Sequence, residues 1–326
     1  MPHTPLFPLF NTAIDGACVD THSKARYDCV QVVMSGELTD LYEPLLELIR
    51  RTSTDLPRDI DEAMTAAREK EEPGSAGENV FNILLQNIEM SRAGTSPLCQ
   101  DTGMISFYVH HPCGMSQLAF KRVAERAVVA ATAENRLRPN SVDSLSGESV
   151  ANNLGPGMPV FHFEEWESDE IDVHLLLKGG GCENVGAQFA LPDVGLGADR
   201  DLAGVKRCVL EAVHLAQGRG CAPGILGVGI GGDRMGSYEL AKVQLLRSLT
   251  DTNPDRVLAD FEEEMFERCN ELGIGPMGFG GKTTLLGIKA GVRNRIPASF
   301  FVSVAYACWA HRHRRLIVSK GKTEII

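Results

Sequence analysis

Pro97-Leu-Cys-Gln-Asp-Thr-Gly-Met-Ile-Ser-Phe-Tyr-Val109 is the stretch at which the chain changes texture. Upstream of it, Leu38, Leu41, Leu45, Leu46 and Ile49 recur at three- and four-residue steps, the spacing of one helix face. The same reasoning predicts helices over 60–70 and 80–90, joined by the polar, turn-forming loop Glu69-Lys-Glu-Glu-Pro-Gly-Ser-Ala-Gly77. Downstream, short β-type runs at 104–109, 171–177 and 300–306 alternate with glycine-rich turns. Two further helices are expected at 202–217 and 254–273. No repeat and no long low-complexity tract interrupts the pattern. The fold class this predicts is mixed α/β (α+β), a helical N-terminal layer (about 1–95) packed on a mixed-sheet body (about 96–326) in one module.

The chain has 326 residues, 43% hydrophobic and 23% charged, the composition of a soluble globular protein. No run reaches the roughly 18 apolar residues of a membrane helix. The opening Met-Pro-His-Thr-Pro-Leu-Phe-Pro-Leu-Phe10 lacks the basic start of a secretory signal, so a cytoplasmic protein without membrane attachment is expected. A formal charge of −11 argues against nucleic acid as a partner, and means that an anionic substrate needs a local positive site. Nine cysteines, an odd and scattered set, argue against a disulfide framework. Most should be small buried hydrophobes.

Four segments concentrate glycine beside reactive side chains: 97–103, Lys178-Gly-Gly-Gly-Cys-Glu-Asn184, Gly220-Cys-Ala-Pro-Gly224 leading into Gly227-Val-Gly-Ile-Gly-Gly-Asp-Arg234, and Gly273-Ile-Gly-Pro-Met-Gly-Phe-Gly-Gly-Lys-Thr-Thr284. Glycine at this density weakens regular elements, and its usual reason is a tight turn or a close backbone approach. Several such turns point to one built site. Two nucleotide readings fail. Gly227, Gly229 and Gly232 spell G-x-G-x-x-G, but no convincing βαβ unit with an acidic ribose ligand about 20 residues on accompanies them. Gly281-Lys-Thr-Thr284 ends like a phosphate loop, yet Pro276 stands where that loop requires glycine. Cys99, Cys221 and Cys308 lie 122 and 87 residues apart, unlike a zinc knuckle or a ferredoxin, so spacing alone would leave each as a core thiol.

Taken in order, the Cys99-Gln-Asp-Thr-Gly103 segment, the Lys178–Asn184 segment, the Cys-x-Pro turn before Gly227, the Gly275–Thr284 segment and Pro297-Ala-Ser299 followed by Cys308-Trp-Ala310 resemble the catalytic α part of the class I, iron–sulfur fumarate hydratase and L-tartrate dehydratase family. The resemblance covers nearly the whole chain. It implies a [4Fe–4S] cluster on Cys99, Cys221 and Cys308 with one iron left open as a Lewis acid, and a small dicarboxylate as substrate. Gln100 and Asp101 would touch substrate or position the proton-transfer group, although an Asx-type turn is an ordinary alternative for them. Arg138 would clamp a carboxylate, with Arg136 close enough to be the true clamp. Gly181 would present a backbone N–H. Lys282 and Thr283 would pack near the cluster or touch substrate. Cys182 stands where relatives often have serine and is expected not to ligate.

Two departures from the family pattern are Ala222 in place of proline and Ile296 where relatives often have histidine; the second bears on which diacid is preferred. Single-chain relatives carry a further domain that supplies more substrate contacts. The resemblance therefore implies a separate β subunit, and a homodimer of α or an α2β2 assembly. Fumarate hydration to (S)-malate is the leading expectation, with L(+)-tartrate or another 2-hydroxy diacid as alternatives. An iron–sulfur sensor or scaffold would not need Gln100, Asp101, Arg138 and Gly181 around the cluster. A zinc hydrolase lacks its ligand spacing.

Overall fold

The computed structural model describes Leu38 and residues 40–326. Of the expected helical layer, the part over 1–37 lies outside the described residues. The remainder forms three helices: α1 (Tyr42–Thr54), α2 (Arg58–Lys70) and α3 (Ala76–Gly94). On α1 the buried positions are Leu45, Leu46, Leu48 and Ile49, an apolar stripe as the spacing predicted, together with Thr52 and Ser53, whose hydroxyls donate to the Leu48 and Arg50 carbonyls. Ser75 caps α3 by accepting from the Glu78 N–H, and Glu78 reaches back to the Gly74 N–H at 2.6 Å, a variant of the capping box.

Two sheets make the body. The first has the order β11-β10-β5-β1-β4, built from β1 (Met104–Pro112), β4 (Val160–Trp166), β5 (Ile171–Lys178), β10 (Arg312–Ser319) and β11 (Lys322–Ile325). β1 runs parallel to β4 and antiparallel to β5. Helix α4 (Gln117–Ala133) and α1 cover one face, where Phe107, Val109, Phe120, Val173 and Leu175 are buried. A two-stranded ribbon, β2 (Ser141–Val142) with β3 (Ser149–Val150), lies between α4 and β4 in the chain. The second sheet has the order β6-β9-β7-β8, from β6 (Ala187–Ala190), β7 (Gly224–Gly231), β8 (Leu285–Arg293) and β9 (Phe301–Ala307). Helices α6 (Leu202–Ala216) and α8 (Arg256–Asn270) bury one of its faces. On the other side α2, α3 and α7 (Arg234–Gln244) share a core with Ile225, Ala305 and Ala307. The short helix α5 (Gly180–Asn184) follows β5. The class is mixed α/β, as the sequence predicts.

Strand β7 corrects the reading of 220–234 as turns alone. Gly-Ile-Leu-Gly-Val-Gly-Ile-Gly231 is a fully buried strand, parallel to β8 and joined to it through α7 and α8. The strand–helix–strand connection found wanting in the sequence is thus present. Its glycines serve packing: a Cβ on Gly227 would lie 1.9 Å from the Ala241 carbonyl, and one on Gly229 would lie 2.1 Å from the Ser237 carbonyl. Only glycine lets α7 settle onto β7 this closely. Asp233 accepts the Gly236 N–H at the start of α7 at 2.7 Å, which places a carboxylate at that helix end.

Candidate active site

The chain crosses from the second sheet to the first through Cys308-Trp-Ala-His311, between β9 and β10. Three segments gather at this crossing. The 97–103 loop is pinned at its start, where the Leu98 N–H donates to the Ser53 carbonyl at 2.9 Å and Asn87 donates to the Leu98 carbonyl at 2.9 Å. It is pinned at its end by Gly103, whose φ of +85° brings it so close to the Lys178 backbone that a Cβ would lie 2.8 Å away. Cys221 adopts the left-handed conformation, φ 54°, at the close of a 3-10 turn spanning Gln217–Gly220. Its carbonyl accepts the Trp309 N–H at 3.2 Å, tying the Cys221 turn to the residue after Cys308.

Cys99, Cys221 and Cys308 are each half-buried and free, whereas Cys208 and Cys269 are fully buried. Burial first, then the nearby Cys308, Cys99 and Asp101, push the Cys221 thiol above its ordinary value, so the three cysteines and Asp101 share one locality. Burial alone dominates at Cys208 and Cys269, whose thiols are pushed up to about 12 and are inert. Cys182, expected not to ligate, lies beside Cys308. Its thiol reaches the Gly220 carbonyl at 3.9 Å and hydrogen-bonds with Cys308, a contact that raises the Cys308 thiol well above its ordinary value. Among the described residues, no three His, Cys, Asp or Glu side chains close on one point as the ligands of a single metal ion would.

Asp101 realises the ordinary turn alternative and more. Its Oδ1 accepts the Gly103 N–H at 3.0 Å in an Asx turn, and its Oδ2 accepts the Gly180 N–H at 2.7 Å. Gly181, exposed, is the next residue in the first turn of α5. Arg138 lies against the same loop: its backbone N–H donates to Thr102 Oγ1 at 3.0 Å and its Nη1 to the Gln100 carbonyl at 3.3 Å, with the side chain exposed. Arg136 is half-buried, with a buried Nε that has no hydrogen-bond partner. Gln100, exposed beside Cys99, completes the group.

Lys282 and Thr283 lie in a loop that packs beside the Cys221 turn, where the Met277 N–H donates to the Ala222 carbonyl at 2.7 Å. Lys282 and Thr283 donate their backbone N–H groups to the Glu71 carboxylate at 3.0 Å, and Lys282 Nζ pairs with Glu72 at 2.8 Å. The loop that ends like a phosphate site thus holds a carboxylate of its own chain. Ile296 is 66% exposed before the start of β9, while Cys308 follows its end, about 20 Å along a seven-residue strand. Within one chain it does not join the cysteines.

Sequence reasoning passed over a buried charge network beside the site. Lys178, 3% exposed, pairs with Glu183 at 2.8 Å, and Lys242 pairs with the other oxygen of Glu183. Burial works to raise the Glu183 carboxyl, but the two lysines outweigh it and hold it below its ordinary value. Burial lowers Lys178 in turn. The lysine and glutamate of the 178–184 segment were visible as residues, but nothing in one sequence says that α7 would bring Lys242 to them.

Residues 43–317 match the sequence model of the family described as fumarate hydratase (Fumerase). The chain belongs to the fumarate hydratase (Fumerase) family. It is 50% identical to a protein of Geobacillus stearothermophilus named as a class I fumarate hydratase, over 88% of this chain and 56% of that relative. The chain thus spans little more than half the length of that member. It is 33% identical to a protein of Methanocaldococcus jannaschii named as an L(+)-tartrate dehydratase subunit alpha, over 82% of this chain and 94% of the relative. For the L(+)-tartrate dehydratase subunit alpha of Escherichia coli (strain K12) the identity is 28%, over 83% of this chain and 88% of that one. Among the described residues no helix is long and apolar enough to cross a membrane.

Proposed function

We propose that this chain is the α-type part of an iron–sulfur hydro-lyase that interconverts fumarate and (S)-malate, with a [4Fe–4S] cluster held by Cys99, Cys221 and Cys308. The observation that supports the reading is that the segments bearing these three half-buried cysteines lie together at the crossing between the sheets, where Leu98, Cys221 and Cys308 share one core and the Cys221 carbonyl accepts the Trp309 N–H at 3.2 Å. The donor set fits such a group: three thiols from three separate segments, no disulfide among them, and an enclosed arginine, Arg312, with unpartnered N–H groups close by. When bound, the cluster would supply an iron without a protein ligand, a Lewis acid for a substrate hydroxyl and carboxylate.

The chain's own residues have distinct parts in this reading. Arg138, exposed and held against the Gln100 carbonyl, offers its remaining donors to a substrate carboxylate. Asp101 keeps its carboxylate fixed by two backbone N–H groups, which suits it to orient a partner in proton transfer rather than to swing. Gln100 and Gly181, both exposed, would face the substrate in this reading. The Glu183–Lys178–Lys242 network braces the segment that carries Gly180 and Gly181. All 326 residues form one catalytic module in this reading, working in the cytoplasm on a small diacid without membrane or nucleic-acid contact. A separate β subunit completes the site, in an α2β2 assembly.

Tartrate dehydration is the second reading. It is favoured by coverage, because the chain spans 94% and 88% of two relatives named as tartrate dehydratase alpha subunits but 56% of the fumarate hydratase. Anaerobic reconstitution with the candidate β subunit, assayed on malate, both tartrates and mesaconate, decides between them. Malate turnover dominating supports the first reading, and L(+)-tartrate turnover dominating replaces it. The chain alone should show brown iron–sulfur absorbance and little activity; full activity without a partner contradicts the two-subunit reading.

A further inference from the structure

Arg312 opens β10 opposite Leu177 of β5 and is only 1% exposed, the largest fully enclosed side chain among the described residues. Its Nη2 donates to the Asp101 carbonyl at 2.8 Å. Its Nε and Nη1 are buried and have no hydrogen-bond partner. The other arginines of the strand are accommodated differently: Arg314 pairs with Asp55 at 3.2 Å and Arg315 with Asp172 at 2.8 Å. No carboxylate among the described residues pairs with Arg312. A guanidinium removed from water with two free donors is strongly unfavourable unless something of opposite sign accompanies it.

The surroundings supply a candidate for that opposite charge. Arg312 sits four residues after Cys308, and the carbonyl it holds belongs to the loop that carries Cys99. A substrate carboxylate is the less suitable partner, because the side chain is enclosed while Arg138 is exposed at the same loop. Thiolates holding iron would bring sulfur acceptors and negative charge to this point, and hydrogen bonds to sulfur together with net charge set how such a cluster behaves.

We propose that Arg312 is the buried counter-ion of the cysteine site, supplying positive charge and N–H donors to its sulfur atoms and so retaining the cluster. The inference rests on the cluster reading above and adds a positioning residue to it. It makes opposite predictions for the two states of the protein. Without iron, Arg312 is an uncompensated buried charge; with iron, it is a needed one.

The test uses the full chain with Arg312→Met and Arg312→Lys. Thermal unfolding of the cluster-free chains and the rate of iron release from anaerobically reconstituted protein to a ferrous chelator are both measured. The cluster-free R312M chain should unfold at or above the parental temperature, yet after reconstitution it should release iron at least about tenfold faster. R312K, which keeps the charge but loses the fork, should fall between parent and R312M. Equal release rates in parent and R312M overturn the proposal, and lower stability of cluster-free R312M with equal release would make Arg312 a prop for the Asp101 loop. A parent that takes up no iron or sulfide overturns the cluster reading, and this inference with it.

Discussion

At the scale of single residues, the site separates into what chemistry can announce and what only folding can place. Cys99, Gln100, Asp101 and Arg138 stood out through the family resemblance, and in the structure Arg138 lies against the loop that carries the other three. Arg312 did not, because Arg-His-Arg-Arg315 reads as a solvated basic cluster until β10 enters the sheet and encloses its first arginine. The nearness of Cys182 to Cys308 was hidden for a similar reason, their distance apart in sequence. His311 carries a pH signature. Burial lowers its imidazole to about 4, with Nε2 2.7 Å from the Leu245 carbonyl. The unfolded chain titrates it near 6.5, so between those values the unfolded state binds more protons, and the contribution is complete above about 6.5 and lost as pH falls to about 4. Stability should therefore rise with pH across that window by at most about 1.4 kcal/mol per unit from this group. Denaturant unfolding at pH 4.5, 5.5 and 6.5 should show a shallower slope in His311→Asn than in the parent, and identical slopes would contradict the assignment.

At the scale of elements, the helices and strands with clear periodicity were legible and the glycine-rich ones were not. α1, α2, α3, α6, α8, β1, β5 and β9 follow the spacing of their apolar residues. β7 carries no such signal, since Gly227 and Gly229 are chosen for the backbone of α7 and not for a buried side chain. Gly229→Ala should force the strand and helix apart and cost about 3 kcal/mol or more, measured as a drop in unfolding midpoint. An unchanged midpoint would mean that α7 is not seated on β7. The 273–284 loop was likewise half-readable. Its likeness to an anion-binding loop was sound physics, but the anion is Glu71, which accepts N–H groups from Lys282 and Thr283. Glu71→Gln should lower stability by about 1–3 kcal/mol, because a neutral amide cannot accept from both N–H groups with both of its ends. Retained stability would show that this loop stands without the α2 carboxylate.

At the scale of the whole molecule, the three cysteines come from the helical layer's exit loop, the entry to β7 and the crossing between the sheets. No local pattern can join points so far apart in sequence; only the paired sheets bring β1, β7 and the β9–β10 crossing to one place. A ligand bound by all three would tie together three segments far apart in the chain. Reconstitution with iron and sulfide should therefore raise the unfolding midpoint of the entire chain, measured by anaerobic calorimetry, and an unchanged midpoint would argue against a shared site. The central claim is most directly tested by the iron and sulfide bound per chain, with the visible iron–sulfur absorbance, after anaerobic reconstitution of the parent and of Cys99→Ser, Cys221→Ser, Cys308→Ser and Cys208→Ser. The account predicts about four irons per chain in the parent and in C208S, with most of the iron and absorbance lost in each of the other three. Parental iron content in any one of C99S, C221S or C308S would contradict it.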